Sequence, residues 1–301
     1  MRAFLELLRP PNVTTALADV LAGFAIANLG NSWTLPWLLI ATACLYGGGV
    51  VLNDYFDRAI DAVERPERPI PSGRVRPAAA ARFGASLLGV GVLAATRATR
   101  EAALVACLIA GAILVYDTWS KHHSLLGPVT MGACRGLNLM LGVAAVPAAL
   151  SARWELGLLP FTYICAITAV SRGEVHGGRR QIAGFALVAV AGVVTVLAVM
   201  GTGVDLWEAP FGRSESSTGR YPSPVSLLLT TALGWRVLRA LWRAYQEADP
   251  VAIRLAVRTG VLSLVLLDAA LAAIYAGTLY GLLVIGTALL AAGLARLFAV
   301  T

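Results

Sequence analysis

The stretch PWLLIATACLYGGGVVLNDYFD, residues 36–57, holds no Asp, Glu, Lys or Arg before Asp54. At about 1.5 Å of rise per residue, such a run crosses the roughly 30 Å hydrocarbon core of a bilayer as one helix. Working outward from it, nine more stretches have the same character, at about 12–29, 80–97, 101–118, 125–147, 155–172, 182–201, 225–245, 253–276 and 279–299. Of 301 residues, 58% are hydrophobic and 14% charged, with mean hydropathy +0.74; a soluble domain has roughly 45–50% and about 25%. A helix satisfies its own backbone polar groups in lipid, where no water can do so. The expectation is an all-α, polytopic transmembrane helical bundle forming a single domain over 1–301. A soluble globule, a disordered chain, a disulfide-stapled secreted fold and a major-groove DNA reader are excluded. Whether there are nine or ten helices turns on Gly277-Thr278-Leu279-Tyr280, which joins either two crossings or the halves of one long bent helix.

The net charge is +7 and the pI 9.6. Alternating the loops from an inside N-terminus puts 18 of the 24 Lys and Arg inside and 5 outside, with Arg135 left in a span. That bias predicts a multi-pass protein of a bacterial-type plasma membrane with both termini cytoplasmic. The basic excess is thus topological, and no nucleic-acid partner is expected. Cys44, Cys107, Cys134 and Cys165 lie in apolar spans without motif spacing and are expected to be buried free thiols. The N-terminus MRAFLELLRPPN lacks a long apolar core followed by a cleavage site, so the first span is expected to be retained. The segment from Gly201 to Pro224 is expected to be a surface loop or interfacial hairpin.

The quoted stretch runs out into Asn53-Asp54-Tyr55-Phe56-Asp57-Arg58-Ala59-Ile60-Asp61, then Arg65-Pro66-Glu67-Arg68-Pro69. Asp54, Asp57 and Asp61 are three and four apart, so a helix puts their carboxylates on one face, about 5–6 Å from neighbour to neighbour. Such a row repels itself unless it shares a cation, and hard oxygen ligands suit Mg²⁺ completed by water and phosphate oxygens. The alternative is a solvated helix end whose acids pair with Arg58, Arg65 and Arg68. Asn53, one turn before Asp57, and Gly47-Gly48-Gly49, which lets a helix or ligand approach closely, favour the cation. Pro66 and Pro69 force an ordered turn.

Asn53-Asp54-x-x-Asp57-x-x-x-Asp61 followed by Arg68-Pro69-x-Pro71-Ser72-Gly73-Arg74 resembles the first aspartate-rich motif of the UbiA superfamily of intramembrane prenyltransferases. Leu8-Arg9-Pro10 through Gly23 is similar to that family's first helix. Tyr116 through Lys121 with Leu126-Gly127-Pro128 is similar to its Tyr-Ser-x-x-Lys segment. The resemblance implies helices around a central, laterally open cavity, where Mg²⁺ and basic residues hold a prenyl diphosphate and the prenyl chain passes to a membrane-soluble acceptor, aromatic or otherwise. Carried over, Asn53, Asp54, Asp57 and Asp61 hold the metal, while Arg68 and Lys121 contact diphosphate oxygens. Tyr55, Phe56, Tyr116 and Trp119 are candidates for the wall beside an allylic cation, or else form an interfacial belt.

The family's second motif supplies further aspartates, whereas Ser171-Arg172-Gly173-Glu174-Val175-His176-Gly177-Gly178-Arg179-Arg180 has one carboxylate. Its Glu-Val-His-Gly-Gly form is similar to a divergent branch, the EboC-like proteins. Here Glu174 and His176 bind a metal, His176 serves as a general base, or Arg172, Arg179 and Arg180 hold the diphosphate. Asp19, Asp117, Arg135, Asn138 and Asp268 are polar residues within spans and need partners. Asp117 either pairs with Lys121 one turn on or is a further metal ligand. Arg135, Asn138 and Asn12 are cavity candidates, while Asp19 and Asp268 are expected to bond between helices or to Arg135. Three function classes follow: a Mg²⁺-dependent prenyltransferase, a non-catalytic polyprenyl-binding or transport protein on the same scaffold, and an ion-coupled transporter. The last is disfavoured because the acids sit at the cytoplasmic end rather than the midplane.

Overall fold

Prolines and small polar caps set where the helices begin. Pro10, Pro77, Pro147, Pro224 and Pro250 each occupy a first helical turn, where the missing N–H costs nothing. The side chains of Thr99, Ser223 and Asp249 accept from the backbone N–H of Ala102, Ser226 and Ala252. The computed structural model describes residues 2–174, 177–204 and 223–297. Among these, the helices are α1 (Arg2–Leu8), α2 (Pro10–Ile26), α3 (Thr34–Phe56), α4 (Arg58–Glu64), α5 (Pro77–Thr96), α6 (Arg100–Thr118) and α7 (Leu126–Val143). They continue as α8 (Pro147–Ala152), α9 (Leu158–Ser171), α10 (Arg180–Gly201), α11 (Pro224–Glu247), α12 (Pro250–Ala276) and α13 (Thr278–Leu297).

Each of the ten expected spans corresponds to one long helix; α1, α4 and α8 are short connectors. Seven segments are long and apolar enough to cross a membrane by length and composition: α3, α5, α6, Trp154–Ser171, α10, α12 and α13. Of the others, α2 has 17 residues, α7 carries Arg135 and Asn138, and α11 carries Arg236, Arg239 and Arg243. Two spans are shorter than expected. The stretch 125–147 stops at Val143 before α8, and 155–172 begins with a 3₁₀ turn, Trp154–Gly157.

The question at Gly277 resolves as two helices. Gly277 takes φ +84 after α12, and α13 folds back so closely that a Cβ on Gly281 would lie 2.7 Å from that of Ala273. The loop expected between Gly201 and Pro224 lies mostly outside the described residues.

The core is built on α2 and α12. In α12, 72% of the apolar window is buried, against 11% in α13, which therefore lies outside. Leu104 and Leu108 of α6, Phe185 and Val188 of α10, and Leu279 and Leu289 of α13 are exposed. Large apolar side chains on so many outer faces are a lipid-facing surface. Cys107 is exposed on the same α6, which corrects the expectation of four buried thiols; Cys44, Cys134 and Cys165 are half-buried and free.

With lipid outside, helices gain little from hiding apolar surface and instead pack through small residues. Gly23 of α2 meets Gly142 of α7 where a Cβ on Gly23 would lie 2.1 Å from the Leu139 carbonyl oxygen. The three-glycine run divides its work: Gly48 faces the Gly84 carbonyl of α5, whereas Gly49 lines a cavity. Gly23→Ala should therefore lower stability by about 1–3 kcal/mol. Gly89→Ala, with nothing within 4 Å of the new methyl, should be neutral or stabilising by up to about 1 kcal/mol. Parallel unfolding of both variants in detergent checks the contrast.

Candidate active site

The aspartates lie at a bend, not at a free helix end. Asp57 ends α3 with its N–H on the Asn53 carbonyl, and the Asp61 N–H in α4 donates to the Asp57 carbonyl, so Asp57 is the joint between the two helices. Pro66 and Pro69 then stop the helix, and Gly73 (φ +75) turns the chain back. Ile70 and Val75 pack with Leu7 and Val51 in a small cluster that anchors the loop. Arg68 is thereby returned to the acids: its Nη1 lies 2.7 Å from Asp61 Oδ2 and 3.3 Å from Asp54 Oδ1. Arg9 reaches the same Asp54 oxygen at 2.6 Å. Asp57 instead receives Lys121 Nζ at 2.5 Å.

Beside these acids α2, α3, α6 and α7 enclose a cavity of about 270 Å³. Arg9, Asn12, Asn53 and Asp117 form polar lining, and Leu45, Val50, Ile109, Ile113 and Met131 supply an apolar wall. Asn53 Nδ2 donates to Asp117 Oδ1 at 2.9 Å. Asp117 is 3% exposed, and its Oδ2 has no hydrogen-bond partner. The Asp117–Lys121 pair expected as one alternative is not formed, because Lys121 turns to Asp57.

At the cavity's other side Arg135 Nη1 lies 3.2 Å from Asp19 Oδ2, and its Nη2 donates to Thr15 Oγ1. Asn138 Nδ2 donates to the same Asp19 oxygen at 2.8 Å, while its own Oδ1 accepts from Thr42. These bonds tie α2, α3 and α7 together, and Asp268 of α12 is buried beside Asp19 and Arg135. The expected inter-helix role of Asp19 is what the geometry contains.

The sequence-derived site residues therefore divide. Asn12, Asn53, Tyr116 and Arg135 line the cavity; Asp54, Asp57, Asp61, Arg68 and Lys121 form the ion-pair cluster at its edge. Arg172 donates to the carbonyls of Lys121 and His123, bracing the loop that presents Lys121. Arg254 donates to the Glu174 carbonyl. Partial burial raises the Glu174 carboxyl above its ordinary range, while Arg254 and Arg65 pull it down. Glu174 is not among the cavity's lining residues, and His176 lies outside the described residues. Of the four aromatics, Tyr116 alone lines the cavity; Tyr55 carries Arg58 over its ring at 4.6 Å, and Trp119 is exposed against His123.

Comparison with known proteins fits this arrangement. A sequence model of the UbiA prenyltransferase family matches residues 16–256. The chain belongs to that family. Digeranylgeranylglyceryl phosphate synthase of Methanopyrus kandleri is 37% identical over 161 residues, 54% of this chain and 59% of its own length. The matched part of the chain thus spans less than two thirds of that relative. A solved structure described as digeranylgeranylglyceryl phosphate synthase in membranes shares the UbiA fold at TM-score 0.64 and 16% identity, covering 91% of this chain and 98% of that one. A UbiA homolog from Archaeoglobus fulgidus bound to DMAPP and Mg²⁺ gives TM-score 0.59 and 17% identity, covering 94% and 99%. At these identities the structural likeness concerns the fold.

Two residues of this UbiA site were not singled out from the sequence. Tyr46 lines the cavity with Arg135 over its ring at 5.9 Å; its place inside an apolar span hid it. Arg9, which the sequence marks as an internal cation and as part of the Leu8-Arg9-Pro10 opening without a site role, takes a left-handed conformation (φ 46) between α1 and α2 and binds Asp54. A positive φ on arginine is uncommon and is held by its surroundings. The adjoining Pro10-Pro11 was the available signal.

Arg68 is the partner shared by two carboxylates that are almost wholly buried. Arg68→Met should cost about 3–5 kcal/mol, because buried Asp61 is left with only the exposed Arg65 at 3.9 Å and Asp54 with Arg9 alone. Arg74→Met, which removes an exposed pair with Glu6, should cost less than about 1 kcal/mol. Thermal unfolding of the two variants in detergent measures the difference.

Proposed function

We propose that this chain is a Mg²⁺-dependent prenyltransferase of the membrane, moving a prenyl group from a prenyl diphosphate to a lipid-soluble acceptor. The observation that carries the reading is the cavity, with carboxylates and cations at one end and an apolar wall beside them. Relatives named digeranylgeranylglyceryl phosphate synthase make a prenylated glyceryl phosphate the first acceptor to test. The positive-inside bias puts the polar end on the cytoplasmic side.

Among the described residues no three acid, His or Cys side chains converge as a ready metal cluster. Arg9, Arg68 and Lys121 have drawn Asp54, Asp61 and Asp57 to themselves. The donor chemistry nevertheless fits Mg²⁺, which needs few protein ligands when phosphate oxygens and water complete its shell. An unpartnered buried carboxylate oxygen on Asp117 marks a place short of positive charge. Asn53, Asp54 and Asp57 are the residues that would hold the ion, with Asp61 anchoring Arg68 behind them. When bound, Mg²⁺ neutralises charge on the departing diphosphate.

The chain's own groups account for the remaining steps. Breaking the allylic C–O bond leaves the electron pair on diphosphate oxygen, where Arg9, Arg68 and Lys121 are near enough to stabilise it in a site shielded from bulk water. Tyr116 and the apolar wall of Ile109, Ile113 and Met131 flank the space for the prenyl chain and keep water from the developing cation. Arg172 holds the 120s loop so that Lys121 stays at the rim. Attack by the acceptor's oxygen or carbon forms the new bond and releases a proton from the acceptor.

Purified full-length chain in nanodiscs, given prenyl diphosphates, Mg²⁺ and a prenylated glyceryl phosphate or an aromatic acceptor, should release diphosphate. Asp57→Asn should lower the rate by about 100-fold or more while leaving the fold intact by circular dichroism. Binding without release under every acceptor would favour the non-catalytic polyprenyl-binding reading. Undiminished turnover by Asp57→Asn would remove that residue from the reaction.

A further inference from the structure

Four carboxylates gather at the polar end of the cavity: Asp54, Asp57, Asp61 and Asp117. Four cations serve three of them. Arg9 and Arg68 hold Asp54, Arg68 also holds Asp61 with Arg65 at 3.9 Å, and Lys121 holds Asp57. Asp117 is the acid left over: among the described residues no Lys, Arg or His lies within ion-pair distance of it. Its Oδ1 accepts from the neutral Asn53 amide, and its Oδ2, cut off from water, accepts from nothing. Lys121 attracts it from beyond ion-pair distance, while Asp57 and Asp54 repel it. A carboxyl group buried in this way is costly to keep ionised until a positive charge arrives beside it.

We infer that Asp117 is a metal-binding carboxylate of the diphosphate site, supplied by α6 in place of the aspartates absent from the segment 171–180. The inference rests on the prenyl-diphosphate reading above. Two independent features of the chain meet in it. The 171–180 segment carries a single carboxylate, Glu174, which lies off the cavity, and its described part is braced by Arg172 on the Lys121 and His123 carbonyls and by Arg254 on the Glu174 carbonyl. Across the cavity, α6 offers a buried acid in contact with Asn53, the residue that opens the first aspartate motif. Asn53 donates its NH₂ to Asp117, so its amide oxygen is not spent in that bond and stays available to the same ion. A ligand set drawn from α3 and α6 also explains how one aspartate motif suffices. Mg²⁺ takes one or two protein carboxylates and completes its shell with substrate phosphate and water.

The test is Mn²⁺ binding, followed by loss of the free-ion spin-resonance signal, on full-length chain in nanodiscs with inorganic diphosphate or geranyl diphosphate present. Asp117→Asn keeps the shape and the acceptor for Asn53 but removes the charge, and should weaken Mn²⁺ binding at least tenfold. In EDTA the same variant should be as stable as the native chain or more so, since no ion pair is lost. Asp117→Ser should show the same loss of Mn²⁺ affinity. Unchanged Mn²⁺ affinity in both variants overturns the inference and leaves the prenyltransferase reading standing. A native chain that binds no Mn²⁺ with either diphosphate overturns that reading itself. Loss of folding in EDTA by both variants makes Asp117 a structural residue and also overturns the inference.

Discussion

One carboxylate, that of Asp54, holds the polar end of this molecule together. It sits at the end of α3, 4% exposed, and is bonded by Arg9 from the start of α2 and by Arg68 from the loop after α4. Those contacts join three pieces of chain. They also explain the left-handed Arg9, whose unfavourable backbone is held where its guanidinium meets Asp54. A lone acid at this depth would be too costly to keep ionised. With two guanidiniums on it, Asp54 becomes a fixed post against which the first aspartate motif is oriented.

Around that post the other carboxylates of the first motif are also held by cations. Arg68 and Lys121 neutralise Asp61 and Asp57, yet the same cations are the groups best placed to meet diphosphate oxygens. On the proposed reading, a bound diphosphate would compete with the carboxylates for these cations and leave the carboxylates to a metal. Deeper in the cavity the polar groups serve packing instead. Asp19, Arg135, Asn138 and Thr42 bond to one another across α2, α3 and α7, beside the crossing where Gly23 and Gly142 bring α2 and α7 nearly into backbone contact. The cavity thus has an ion-paired end and a braced end within one apolar shell.

Much of this was legible because it depends on local spacing. Ten apolar stretches gave ten helices, since each backbone in lipid must satisfy its own hydrogen bonds. Asp54 and Asp61 still share one partner, Arg68, because α4 follows α3 after the single joint residue Asp57. Asn12, Asn53, Tyr116 and Arg135 were identifiable as polar groups in or next to apolar spans. The positions that escaped notice are those whose meaning lies in a distant partner. Arg9 looked like one of 24 cations at the opening of the first helix, Tyr46 like one aromatic in a span, and Arg172 like a diphosphate ligand rather than the brace of a neighbouring loop.

The sequence by itself determined that the chain is a membrane helical bundle, where its helices lie and which one carries the acidic motif, because hydropathy and helical period act over neighbouring residues. Tertiary structure alone decided the pairing of charges. Lys121 is one turn from Asp117 in sequence but is bonded to Asp57 of another helix; Arg68 returns to Asp54 only because Ile70 and Val75 are packed beneath its loop. It also decided that α13 doubles back on α12 at Gly277 rather than extending it. Ion pairs and close helix crossings depend on distances in space, and spacing along one chain does not encode them.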